Sequence, residues 1–245
     1  MWKESVSFMK QTPYFFKMNN FFTKVYTDIA ARYELMNHIL TFGLDVLWRR
    51  KTVGLAGQAN PGQWMDLCTG TGEMAALLDQ ISDQSTSIYG VDFTSAMLVR
   101  AKDKDKNINY IKADVVALPF ADNHFDLITI SLASRNLDSA GKLDKFFQEV
   151  YRLLKKDGLL IHLETTIPDS KIMQILIKLY MRLVVDNLGR LLSSSKNGYS
   201  YLANSIPAFY PPDVLKEKII EAGFEKVTYK KFFPGIVAVH IARKE

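Results

Sequence analysis

Two glycines at alternate positions, Gly70 and Gly72, follow a short apolar run, and a second apolar run ends in Asp92 twenty positions after Gly72. Residues Gln63 to Cys68 have the length and bulk of a buried strand. The glycines then let the backbone turn tightly and come close to a ligand before a helix starts near Glu73. Ile88-Tyr89-Gly90-Val91-Asp92 reads as the next strand. A carboxylate at its carboxyl end can accept both hydroxyls of a ribose, so the pairing points to an adenosine cofactor on a doubly wound parallel sheet.

Gly70-x-Gly72-x-x-Ala75 also fits the dinucleotide fingerprint, which keeps a nicotinamide-dependent dehydrogenase in play. Three details favour S-adenosylmethionine. Asp66 stands just ahead of the glycines, where it would repel a pyrophosphate but attract the ammonium of a methionine moiety. Asp114 ends a third strand, where a carboxylate can accept the adenine exocyclic amine. A fourth strand, Phe125 to Ser131, opens directly onto Arg135-Asn136, placing polar groups where substrate would meet cofactor.

At 245 residues and 48% apolar content the chain is long enough for one well-buried core, and one domain is expected. Its parts are an arm and helical cover (1–50), a cofactor-binding core (51–167), a helical lid or insertion (168–212), and a final helix with a strand hairpin (213–245). Cys68 is the single cysteine, so a disulfide framework is excluded and a reducing, cytoplasmic setting is expected. The four histidines lack the i, i+4 spacing of a metal helix, and no metal is expected. The net charge of +5 comes from scattered lysines without a nucleic-acid motif, leaving a solvated surface or weak attraction to anionic lipid. No stretch reaches eighteen consecutive apolar residues.

Strand signals near 63–68, 87–92, 108–113, 125–130 and 158–164 alternate with helices, as in a parallel sheet. Phe224–Lys231 and Gly235–Arg243 predict an antiparallel terminal hairpin. The pattern from Phe21 to Trp48 is helical with a break at Thr41-Phe42-Gly43, and a helix over 142–155 is expected to stop at Lys155-Lys156-Asp157-Gly158. A helix over 171–191 carries a narrow polar stripe of Lys171, Gln174, Lys178 and Arg182 on an otherwise apolar surface. It packs against the sheet, or it forms a lid with the aromatic arm before Asn20, presenting Leu176, Leu183 and Val184 to a greasy substrate or a bilayer.

From about Phe21 to the carboxyl end the chain resembles the ubiquinone/menaquinone biosynthesis C-methyltransferase family of the UbiE/MenG type. The likeness is carried by Ala30-Ala31-Arg32-Tyr33-Glu34-Leu35-Met36-Asn37, Thr41-Phe42-Gly43, Leu47-Trp48-Arg49-Arg50, Ala117 to Asp126, Arg135-Asn136, Tyr151 to Lys155, Tyr199 to Ile206 and Gly235 to His240. It implies a Rossmann-like class I methyltransferase with a seven-stranded, mostly parallel sheet. It also implies transfer of a methyl group from S-adenosylmethionine, leaving S-adenosylhomocysteine, to a ring carbon of a polyprenylated hydroquinone.

The cofactor contacts it implies fall on Thr71, Asp92, Asp114 with Val115, and Ser131, with Phe93 and Met97 beside them. Together with Asp66, Gly70 and Gly72, and with Tyr33 closing over the cofactor or packing, they form the expected cofactor set. Departures occur at Thr69, Leu132-Ala133-Ser134 and Thr165-Thr166. They leave open an offshoot methylating another lipophilic phenol or small metabolite, or a cofactor-binding assembly partner without activity. Expected partners are the quinol and a membrane surface, with a homodimer left open and no nucleic acid. The location expected is the inner face of the membrane.

Methylating a ring carbon requires electron density there, and a phenol with a pKa of roughly 10 must be held as phenolate. Arg135 is expected to supply a fixed positive charge, and Asn136 to hold an oxygen or a water. Water, His240 or Glu164 is expected to take the proton, with His240 equally readable as a core histidine. Tyr199 and Tyr201 are expected as pocket walls.

Overall fold

The computed structural model describes residues 22–185 and 209–245. The expected amino-terminal arm, the end of the 171–191 helix and the two pocket tyrosines Tyr199 and Tyr201 lie outside the described residues. Three helices form the entry: α1 (22–29), α2 (Tyr33–Thr41) and α3 (Leu44–Ala56). An alternating series follows, with β1 (Gln63–Leu67), α4 (Glu73–Ile81), β2 (Ser87–Asp92), α5 (Ser95–Lys104), β3 (Asn109–Lys112), β4 (Phe125–Ser131), α6 (Ser134–Ser139), α7 (Leu143–Leu153) and β5 (Leu154–Thr165). After α8 (Lys171–Tyr180) and α9 (Pro212–Glu221), the chain ends in β6 (Lys226–Phe232) and β7 (Val237–Arg243).

The strands form one sheet in the order β3-β2-β1-β4-β5-β7-β6. Only β7 runs against the others, as the predicted terminal hairpin requires. β4 is buried almost throughout because helices cover both faces of a parallel sheet. Phe146, Phe147, Val150 and Leu215 pack one face, while Trp48, Val53, Met74 and Leu78 pack the other. The strand order reverses between β1 and β4. Loops leaving their carboxyl ends diverge there and open the crevice in which α/β sheets bind ligands.

Two expectations need correction. The 142–155 helix does not stop at Gly158, because α7 ends at Leu153 and Leu154 already belongs to β5. Leu153 and Leu154 are both fully buried, and Leu154 pairs with Phe125 across an irregularity in the β4 register, so pairing captures the chain before the glycine is reached. Lys155 contacts Asp126 at 2.7 Å instead of a helix terminus. The second correction concerns α8, which buries none of its residues and so does not pack on the sheet. Ile172, Ile175, Leu176 and Leu179 are exposed, and a five-residue π turn at Met181–Val185 follows.

Candidate functional site

The glycine turn is built by a reversal of backbone hand after β1. Gly72 has φ 82°, and a Cβ there would lie 2.6 Å from the Tyr110 hydroxyl, so a side chain is excluded by conformation and by space. A Cβ on Gly70 would meet nothing within 4 Å, since that backbone faces open space. Asp92 ties the turn to β2: its carboxylate accepts from Gly70 N at 3.0 Å and from Thr94 N at 2.8 Å. Burial pushes its carboxyl above the usual range.

A cavity of about 250 Å³ opens beside this turn. Of the residues expected at the cofactor, Tyr33, Gly70, Asp92, Phe93, Met97, Asp114, Val115 and Ser131 line it. Thr71 and Gly72 lie in the turn without lining it, and Asp66 is buried behind it with Thr129 donating to it at 2.7 Å. Burial pushes the Asp66 carboxyl up to about 6, which weakens the attraction for an ammonium expected of it. Asp114 meets Lys142 at 2.6 Å, and Lys142 also lines the cavity. Sequence reasoning missed Lys142 and Tyr26. Tyr26 carried a faint signal, one position from the apolar stripe of α1, whereas Lys142 carried none.

A second cavity, of about 340 Å³, adjoins the first, and Tyr26, Tyr33 and Leu132 line both. Its walls are mostly apolar: Trp48, Ile177, Tyr180, Met181, Ile236 and Val237 contribute, with Arg135, Thr165, Asn37, Thr41 and Asp45 as polar groups. From α8 it is Gln174, Ile177, Lys178 and Tyr180 that face this space, not the expected Leu176, Leu183 and Val184.

Arg135, 5% exposed, enters the second cavity. Its Nη1 donates to Glu164 at 2.7 Å and to Thr165 Oγ1 at 3.1 Å. Glu164 lines neither cavity: it also accepts from Ser134 N and Thr165 N, both at 2.7 Å, and so holds the guanidinium while its oxygens are engaged. His240 lies in the sheet opposite His162, its Nε2 2.9 Å from the Pro212 carbonyl oxygen, and it too lines neither cavity. Burial pulls its imidazole below the ordinary value. Asn136 lines the first cavity and donates to the Tyr26 hydroxyl at 2.7 Å, while its buried Oδ1 has no partner among the described residues.

His38, Asp45 and Glu73 bring metal-ligand chemistry together. Arg49 lies among them, 2.8 Å from Asp45 and 3.3 Å from Glu73, and supplies the cation that balances both carboxylates.

A profile of the ubiE/COQ5 methyltransferase family matches residues 16–244. A ubiquinone/menaquinone biosynthesis C-methyltransferase of Desulfotalea psychrophila is 38% identical over 219 residues, 89% of this chain and 87% of that protein. A demethylmenaquinone methyltransferase of Bacteroides fragilis is 36% identical over 227 residues, 90% of this chain and 91% of that protein. Among solved structures, an S-adenosylmethionine-dependent methyltransferase of Thermotoga maritima superposes with a TM-score of 0.62 at 17% identity, covering 91% of this chain and 99% of that one. That likeness concerns the fold.

Proposed function

The chain belongs to the ubiE/COQ5 methyltransferase family, and from that membership we propose that it transfers a methyl group from S-adenosylmethionine to a ring carbon of a polyprenylated hydroquinone. The observation that carries the reading is the pair of adjoining cavities, one holding Asp92 and Asp114 beside the glycine turn, the other apolar around Arg135, which share Tyr26, Tyr33 and Leu132. The first fits the cofactor. Asp92 would take the ribose hydroxyls, Asp114 the adenine amine, and Phe93, Met97 and Val115 the adenine faces, while the buried Asn136 Oδ1, without a partner among the described residues, would be a further acceptor on the wall of that cavity.

When bound, S-adenosylmethionine supplies an electrophilic methyl group. The protein's task is to make a ring carbon nucleophilic and to hold it in line. Arg135, fixed by Glu164, stabilises the phenolate oxygen, and the apolar walls keep water from the reacting carbon. Incubating the protein with S-adenosylmethionine and a short-chain demethylated quinol should give one C-methylated product. Absence of product, together with unchanged quinones in a deletion strain, would sink the reading in favour of another phenolic acceptor.

Asp92→Ala should weaken S-adenosylmethionine binding by about 1.5–3 kcal/mol, because hydrogen bonds to a charged group are lost and the Gly70 amide loses its acceptor. Isothermal titration reads this directly, and wild-type affinity would place the ribose elsewhere.

We also propose peripheral contact with a membrane. No helix among the described residues is long and apolar enough to cross one, yet α8 exposes Ile172, Ile175, Leu176 and Leu179 beside the apolar cavity, with Lys171 and Lys178 on the same helix. An amphipathic surface helix of this kind can lie in the headgroup region. Ile175→Asp with Leu179→Asp should reduce sedimentation with anionic vesicles and turnover of a long-tailed acceptor while leaving a tailless one unaffected. Equal loss on both acceptors would make α8 an ordinary structural helix.

A further inference from the structure

Resting on the proposed C-methylation, we propose that His162 is a positioning residue for Arg135. Its imidazole holds the Ser134 hydroxyl while Glu164 holds the Ser134 amide, and the two together set the start of α6 and the place of the guanidinium in the acceptor cavity. Ser134 belongs to the Leu132-Ala133-Ser134 stretch in which the chain departs from the family pattern.

Left to itself, α6 is poorly fixed. It has six residues, too few to persist on hydrogen bonds within the helix, and its N-cap residue, Ala133, has no side chain that could accept from the first turn. The chain enters it through Leu132, a non-glycine residue in left-handed backbone at φ 56°, a conformation that surrounding contacts must enforce. What holds this turn comes from β5. His162 and Glu164 are two apart on that strand and so project to one face. His162 Nε2 lies 2.6 Å from Ser134 Oγ, and Glu164 accepts from Ser134 N at 2.7 Å. One bond would leave the residue free to pivot about it, whereas two, to side chain and backbone, fix its orientation. Arg135 is the next residue, so any rotation at Ser134 is carried to the guanidinium.

The imidazole is itself anchored. Ser134 and His162 are both fully buried, and Phe147 meets the His162 ring edge-to-face at 5.6 Å. His240, paired with His162 across the sheet, has its ring 5.5 Å away and donates through Nε2 to the Pro212 carbonyl oxygen at 2.9 Å. Burial holds His162 well below the ordinary imidazole value, with His240 adding to the effect, so the ring is neutral at pH 7 and its contact with the serine is a neutral hydrogen bond. Neither histidine lines a cavity, which leaves position rather than proton transfer as the contribution. A leucine would fill that place without the cost of burying polar nitrogens. The imidazole offers what a leucine cannot, a directed bond to the helix that carries Arg135.

Ser134→Ala removes only a hydroxyl. It should lower kcat on a short-chain demethylated quinol by about tenfold, because small displacements of a catalytic group are costly. Cofactor affinity measured by calorimetry should be unchanged. His162→Leu should behave alike, and His162→Gln, whose amide can reach the serine, should recover most of the rate. The deciding comparison is made in an Arg135→Ala background, where Ser134→Ala should cause no further loss of kcat, since the group it places is absent. If His162→Leu fails to fold, Ser134→Ala in the two backgrounds decides. Wild-type kcat in Ser134→Ala, or the same tenfold loss with and without Arg135, would overturn the positioning role while the wild-type enzyme still methylates the quinol. A wild-type protein inert toward every demethylated quinol would remove the proposed function and this role together.

Discussion

Arg135→Ala is expected to lower turnover by on the order of a hundredfold or more, the scale of removing a preorganised stabiliser of developing negative charge. The guanidinium enters the apolar cavity almost fully desolvated, where its field on a phenolate is far stronger than in water. Cofactor affinity should hardly change, because Arg135 lines the acceptor cavity and not the cofactor cavity. The fold should survive at reduced stability, since the buried Glu164 charge loses its cation. Glu164 keeps the Ser134 and Thr165 amides and the Thr165 hydroxyl as donors after Arg135 is gone. Arg135→Lys separates charge from geometry, since an ammonium keeps the charge but cannot reproduce the two directed bonds to Glu164 and Thr165. An alanine variant with wild-type kcat would remove Arg135 from the mechanism.

Arg135 itself was legible because it follows directly on a strand that had to be central: Leu127 points to one face and Ile128 and Ile130 to the other, so both faces need cover, and the carboxyl end then lies at the switch point. The other inner strands were readable for the same reason, and β6 and β7 from two strand-like runs joined at Pro234. What stayed hidden depends on tertiary contact. The end of α7 is set by pairing with Phe125, which outweighs the lysines and glycine that mimic a helix stop. Asp66 sits at a position the local pattern assigns to the ligand, but Thr129 on the neighbouring strand draws it into the interior.

His38 and Asp45 are seven residues apart on different helices. They meet because Phe42 and Gly43 both take left-handed backbone, φ 53° and 74°, and fold α3 back beside α2. The break at Thr41-Phe42-Gly43 was visible in the sequence, but its three-dimensional consequence was not. Glu164 was visible as a carboxylate at the end of β5. Its partner could not be read, since no periodicity reports a contact that spans twenty-nine positions.

That contact sets the largest stability effect expected in this chain. Glu164 is 1% exposed, and its removal would take an acceptor from three buried donors: the Ser134 and Thr165 amides and the Arg135 guanidinium, which keeps its bond to Thr165 Oγ1 but loses its carboxylate. Taking one partner from a buried ion pair costs about 3–5 kcal/mol, because the surviving charge remains desolvated. Glu164→Ala should therefore lower the stability measured by urea unfolding by that amount and abolish turnover together with it. Glu164→Gln discriminates the two roles. It retains a carbonyl acceptor for Arg135 but turns an N–H₂ toward the backbone amides, so it should recover part of the stability and little of the activity, because the helix that starts at Ser134 is no longer held at its first residues. An alanine variant within about 0.5 kcal/mol of wild type, the range of an ordinary surface change, would show that the pair is not what fixes α6 to the sheet.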